Sequence, residues 1–207
     1  MKLAIMLAIV LILVNARAEN SVPPGHEMKQ CTAAATTQPR VGNLIEETIM
    51  QWEGWSEVRY RLPNEVSVGY GTRLTAQLQP LMSSVSNGRL DYRLVYSGRQ
   101  TITRQEGVLL LRETIELKRR MAEKALPQFN SYPERIRAAI VDGFYRGDLA
   151  GSPKTLQLIR EGRWVAASRE LLDNKEYREA AARKMGGVVR RMDWRSQVFK
   201  SYGEGRL

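Results

Sequence analysis

The sequence predicts an α+β fold: one N-terminal helix, a small β-hairpin sheet and a larger helical lobe. Three observations carry this reading. Leu44, Ile45, Thr48, Ile49 and Trp52 recur at helical spacing. Val66, Val68 and Tyr70 then alternate along one strand face, opposite Glu65 and Ser67. From Thr103 onward the apolar residues return to a helical period. With 207 residues, the chain has room for one domain plus extras. A 43% hydrophobic content supplies a core and excludes a disordered chain.

The N-terminus reads as an address. Met1 and Lys2 give a positive start, residues 3–14 an unbroken apolar run, and Ala16-Arg17-Ala18 a small-x-small cleavage pattern. The run is too short to span a bilayer comfortably. Residues 1–18 are therefore expected to be a signal peptide cut after Ala18, with a releasable signal-anchor or a buried helix as the other readings. Met28-Lys29-Gln30 before Cys31 is not a lipidation box. Residues 19–41, with Pro23-Pro24-Gly25 and Pro39, read as a linker, and Cys31 within it as a free or intermolecular thiol. A domain is expected over 42–207.

Asn43 is a candidate N-cap, with Glu46 completing a capping box and Gly54 stopping the helix. Pro63-Asn64 supplies the hairpin turn over 57–72. Residues 74–99 are less regular, with Leu94-Val95-Tyr96 a candidate short strand. Thr103 and Glu106 form a capping box for a helix that Pro127 ends. Helices follow over 133–145, 153–160 and 164–172. A charged, Ala-rich stretch over 173–184 is helix or its frayed continuation. Gly186-Gly187 breaks it, and a last amphipathic helix begins at Val188. Leu109, Leu111, Ile115 and Ile140 are expected core.

Composition narrows the chemistry. One cysteine excludes an internal disulfide framework and a Cys-based zinc cluster. One histidine, His26, lies in a Pro/Gly-flanked stretch, which argues against Ser-His-Asp catalysis and a multi-His metal site. Hydrolytic chemistry must then rest on carboxylates, hydroxyls, backbone amides or water, with no cofactor or metal. The net charge is +10, and losing Lys2 and Arg17 leaves +8. Such a basic exported chain suits anionic partners such as cell-surface polymers or a membrane surface. No zinc-finger or RNA-binding signature points to nucleic acid.

The informative segment is Trp52-Glu53-Gly54, then Tyr60 seven residues after Glu53, then Ser67-Val68-Gly69-Tyr70-Gly71-Thr72. It resembles the phage-type lysozymes (glycoside hydrolase family 24), with a Glu-Gly at a helix end and a hairpin ending Thr/Ser-x-Gly-Tyr-Gly. Ile102-Thr103-Arg104-Gln105-Glu106, the segment from Ala139 to Gly147, the turn from Ser152 to Leu156, and Gly186-Gly187-Val188-Val189-Arg190-Arg191 resemble that family's downstream motifs in order. The resemblance covers 44–202. It implies a lysozyme-like fold and a monomeric, exported, bacteriolytic endolysin acting on peptidoglycan at the periplasm or cell wall, with lysis of a bacterial host by a phage as its role.

It also implies Glu53 as the general acid. A carboxyl in the last turn of a helix meets the negative end of the macrodipole, which favours its protonated form. Trp52 and Trp55 offer low-dielectric walls or sugar-stacking faces. The second group departs from the family, because Leu62 stands where an Asp is common. Glu65 is a candidate base, or a solvated turn residue. Ser67 is a candidate water-positioning group, or a solvent-facing strand serine. With Glu53 alone, the same fold suits a lytic transglycosylase. Loss of both activities would leave a silent wall-binding protein, and the charge and last helix admit a membrane-disrupting one. Tyr60, Tyr70, Gly71 and Thr72 are expected to line the substrate cleft, and Arg191 to reach Glu53 from the last helix or lie at the surface. Tyr145 replaces a common Asn, and Pro153-Lys154 interrupts the Ser-Thr-Leu turn.

N-terminal sequencing of the exported protein is expected to begin at Glu19. Recovery of intact Met1 from the membrane fraction would mean an uncleaved anchor.

Overall fold

The computed structural model describes residues 43–62 and 64–207. The signal sequence, the linker and Cys31 lie outside the described residues. Helix α1 (Leu44–Glu53) starts as expected, with the Asn43 side chain accepting from the Ile45 N–H at 3.0 Å. The capping box does not form. Glu46 instead binds Arg112, whose Nε donates to it at 2.8 Å. A guanidinium offers more to that carboxylate than one backbone N–H does. Gly54 ends the helix at φ +69° and ψ −169°, a region that disfavours a side chain.

Strands β1 (Ser56–Leu62), β2 (Glu65–Gly69) and β3 (Thr72–Arg73) form an antiparallel sheet in the order β1-β2-β3. The register opposes Tyr60 to Ser67 and Leu62 to Glu65, with an irregularity between Ser56 and Tyr60. The Val66 and Val68 face enters a small core with Leu74, Met82, Leu90, Val95, Ile102 and Leu110. On the opposite face Ser67 is fully buried, while Glu65 stays partly exposed.

Residues 74–99 fold as helices, not as a strand. Helix α2 (Gln79–Val85) is followed by α3 (Tyr92–Ser97), which contains Leu94, Val95 and Tyr96. Asp91 caps α3 by accepting from the N–H groups of Arg93 and Leu94, and Gly98 closes it at φ +80°. Two end caps outweigh the strand propensity of three residues.

Helix α4 (Arg104–Ala125) has the predicted capping box, with Thr103 accepting from the Glu106 N–H at 3.2 Å and Glu106 accepting from the Thr103 N–H at 2.8 Å. It ends two residues before Pro127. At about 1.5 Å per residue, its 22 residues run about 33 Å, past both cores. Leu110 and Leu111 are its buried leucines, and Leu109 is only half-buried. Trp55 packs against both cores. A Cβ on Gly107 would lie 2.3 Å from the Trp55 ring, so glycine is what admits the indole.

The helical lobe comprises α5 (Glu134–Arg146), α6 (Pro153–Arg160), α7 (Trp164–Leu172), α8 (Lys175–Ala182) and α9 (Gly186–Gly203). Gly186 and Gly187 form the first turn of α9 and are not the break. The break lies over 183–185, where Lys184 takes φ +56°. Trp164 on α7 meets Tyr132, Phe199 and Tyr202 edge-on at centroid distances of 5.0, 5.7 and 4.9 Å. Such edge-to-face contacts are favourable, and here they fix α9 against α7. Among the described residues, no helix is long and apolar enough to cross a membrane.

Gly107→Ala is expected to lower stability by about 1–3 kcal/mol through overpacking against Trp55, as read by urea unfolding. An unchanged unfolding midpoint would mean that Trp55 has another place to go.

Candidate active site

Glu53 is the last residue of α1, held where Gly54 turns the chain toward β1. Its side chain is 19% exposed, and Oε1 accepts from Arg191 Nη1 at 2.6 Å. The Gly69-Tyr70-Gly71 turn closes on it from the sheet. A Cβ on Gly71 would stand 2.7 Å from Glu53 Oε2, and Gly71 has φ +80°. Space and backbone conformation therefore both require glycine there.

Arg191 is buried on α9 and faces two carboxylates. Its Nη1 reaches Glu53, while Nε and Nη2 donate to Asp142 on α5 at 2.9 and 2.6 Å. Asp142 is fully buried. Its other oxygen lies 3.2 Å from Nε of Arg195, also fully buried and one helical turn beyond Arg191. Arg195 donates through both terminal nitrogens to Asp148, which also accepts from Arg146 Nε at 3.2 Å. Three acids and three arginines thus alternate from the site through the interior to the partly exposed Arg146: Glu53, Arg191, Asp142, Arg195, Asp148 and Arg146. Gly143 gives the Arg195 guanidinium room, since a Cβ there would lie 2.7 Å from Nη1. Burial works against the Arg191 charge, but Asp142 and Glu53 outweigh it and hold the guanidinium above its ordinary value.

On the hairpin, the Ser67 hydroxyl donates to Glu65 Oε1 at 3.3 Å. Arg73 Nε stands 3.8 Å from the other Glu65 oxygen. Glu65 is paired across the strands with Leu62, which is 48% exposed. Side chains directly opposite on adjacent strands lie about 4.5–5.5 Å apart at Cβ. Glu65 therefore puts a carboxylate beside the position where Leu62 lacks one. It also lines a cavity of about 340 Å³ with Arg61, Leu62, Asn64, Arg73 and Tyr96. Tyr60 stands within electrostatic reach of both acids. Burial, then Glu53, then Glu65 push its phenol up, with Ser67 acting in the other direction.

The remaining predicted site residues divide by burial. Gly71 and Tyr60 are partly accessible. Tyr70, Thr72 and Arg191 are buried, which corrects the expectation that their side chains line a cleft or, for Arg191, lie at the surface. Tyr70 packs on Trp55 at 5.1 Å, and its hydroxyl accepts from Arg104 Nε at 3.1 Å. The Thr72 hydroxyl is buried beside the Tyr145 phenol. Ser67 is also buried, and its hydroxyl donates to Glu65, so it holds that carboxylate and does not face solvent. Tyr145, in place of the common Asn, donates to the Tyr70 carbonyl at 2.7 Å and ties α5 to the hairpin turn. Burial and then the Glu53 charge push its phenol far up, so it remains a neutral donor. Trp52 contacts Trp194 at 6.0 Å.

Sequence reasoning missed Asp142, Arg195 and Asp148. A signal was present: Asp142 interrupts an apolar helix face, and Arg191 and Arg195 are spaced four apart on one helix. Among the described residues, no three His, Cys, Asp or Glu side chains group to hold a metal ion. The chain matches no protein-family model and no curated protein.

Asp148 links this network to acid stability. Burial pushes its carboxyl up, but Arg195 and then Arg146 outweigh that and hold it below the ordinary range. Its contribution to stability is present above the unfolded carboxylate value of about 4 and is lost as pH falls through the lower folded value. Urea unfolding between about pH 5 and about pH 2 is expected to show wild-type stability falling, and Asp148→Asn starting lower and falling less steeply. Parallel curves would contradict this.

Proposed function

We propose that the chain is an exported muramidase that hydrolyses the β-1,4 bond between N-acetylmuramic acid and N-acetylglucosamine in peptidoglycan, and that it acts as a phage-type endolysin. The observation that carries the reading is Glu53, held at a helix terminus between an arginine and a glycine turn with one edge open to solvent. The hairpin's second carboxylate, Glu65, supports it.

In this reading protonated Glu53 donates to the departing glycosidic oxygen while the bond to the anomeric carbon breaks. Glu65 takes a proton from the water that attacks the opposite face, and Ser67 orients Glu65. Two carboxylates on opposite faces of the sugar, with the attacking water on the side of the base, give inversion. Tyr60, within electrostatic reach of both acids, borders the sugar. The active form needs Glu53 protonated and Glu65 ionised, so the rate falls on both sides of an optimum.

Leu62 favours the lytic transglycosylase as second reading, because the usual Asp is absent. The products separate the two: reducing muramic ends follow from hydrolysis, and 1,6-anhydro ends from transglycosylation.

Digestion of purified cell walls is expected to show turbidity loss with the wild-type chain and a loss of about 10²-fold or more with Glu53→Gln. Glu65→Gln is expected to lower the rate strongly, Ser67→Ala less so, and Leu62→Asp is not required. Binding without turbidity loss by the wild type would mean a silent wall-binding protein. Killing that survives Glu53→Gln would mean membrane disruption.

A further inference from the structure

The proposed reaction needs a carboxylic acid that keeps its proton, yet Glu53 touches a guanidinium at 2.6 Å. An arginine committed to one carboxylate stabilises the ionised form and would disarm the acid. Arg191 is not committed to one. It gives Glu53 a single nitrogen, and gives Asp142 its Nε and its other terminal nitrogen. The fork-like pairing, the stronger and more directional kind, belongs to Asp142. Asp142 is in turn shared, because Arg195 lies 3.2 Å from its second oxygen and is itself held by Asp148.

We propose that Asp142 is a positioning residue that takes up most of the Arg191 charge, so that Arg191 orients Glu53 without fixing it as a carboxylate. The proposal rests on Glu53 being the acid of the proposed reaction. Asp142 has no exposure and never meets substrate. Two features of the surroundings support the role. An acid at this depth is costly unless fully paired, and here it accepts from Arg191 and contacts Arg195. The groups that face Glu53 from neighbouring elements are otherwise few: Tyr60 from β1 and Tyr145 from α5, both held neutral by burial and by Glu53 itself, with Glu65 beyond Tyr60. Among the described residues, Asp142 is thus the one anion in direct competition with Glu53 for Arg191.

The test is the pH at which the Glu53 carboxyl titrates, read by carbon NMR in the full chain. Asp142→Asn is expected to move the midpoint to lower pH, because Arg191 turns wholly to Glu53. Arg195→Gln is expected to move it the other way, because Asp142 then binds Arg191 more strongly. The double variant Asp142→Asn with Arg195→Gln removes one charge of each sign and is expected to follow Asp142→Asn, and it carries the test if the single variant does not fold. On cell walls, the basic limb of the pH–rate profile should move with the midpoint, lowering kcat/KM near neutral pH about tenfold per unit. An unmoved midpoint, a shift to higher pH in a variant carrying Asp142→Asn, or a shift to lower pH in Arg195→Gln would overturn the proposal. Failure of the wild type to cleave walls would overturn the muramidase reading alone, since the midpoints are measured without substrate.

Discussion

Arg191 binds the end of α1 and the middle of α5 from its own place on α9. These elements come from the two ends and the centre of the described chain, separated by 138 and 49 residues from Arg191. Nothing local in the sequence brings Glu53 to its position. α1 stops at Gly54, the hairpin turn closes on the carboxyl through Gly71, and α9 is fixed against α7 by the Trp164 cluster. The guanidinium joins these independently built parts at one point.

The interior charges behind that point alternate in sign and cancel. A buried ion pair adds little net stability, because desolvation consumes most of the Coulombic gain, while removing one partner is costly. The worth of the chain from Glu53 to Asp148 is therefore placement. A guanidinium bound on several nitrogens cannot rotate freely, and a carboxyl bound to it inherits that order. The same arrangement accounts for Gly143, which leaves space for Arg195, and for Tyr145, which anchors α5 to the turn beside Glu53.

Much of this was legible in the sequence. Helical spacing and caps located α1 and α4, and α6 and α7 fell on their expected bounds. Asn43, Thr103 and Gly54 act on their own neighbours, so local chemistry decides them. Several signals were misread because a nonlocal or flanking partner won. Leu94-Val95-Tyr96 looked like a strand until Asp91 and Gly98 closed a helix around it. Glu46 left its cap for Arg112, 66 residues away. Ser67, read as a water-positioning group or a solvent-facing strand serine, is covered, and its hydroxyl turns to Glu65. The site followed the same division. Glu53, Gly71 and Arg191 were visible as a pattern, whereas Asp142 and Arg195 gain meaning only once α5 and α9 pack together.

A double-mutant cycle between Glu53 and Arg191, with each replaced by glutamine singly and together, tests most directly whether this contact organises the site. Unfolding free energies of the four proteins should be non-additive by about 0.5–3 kcal/mol, the range for residues sharing one ion network. Additivity within about 0.5 kcal/mol, the range for independent sites, would contradict the account.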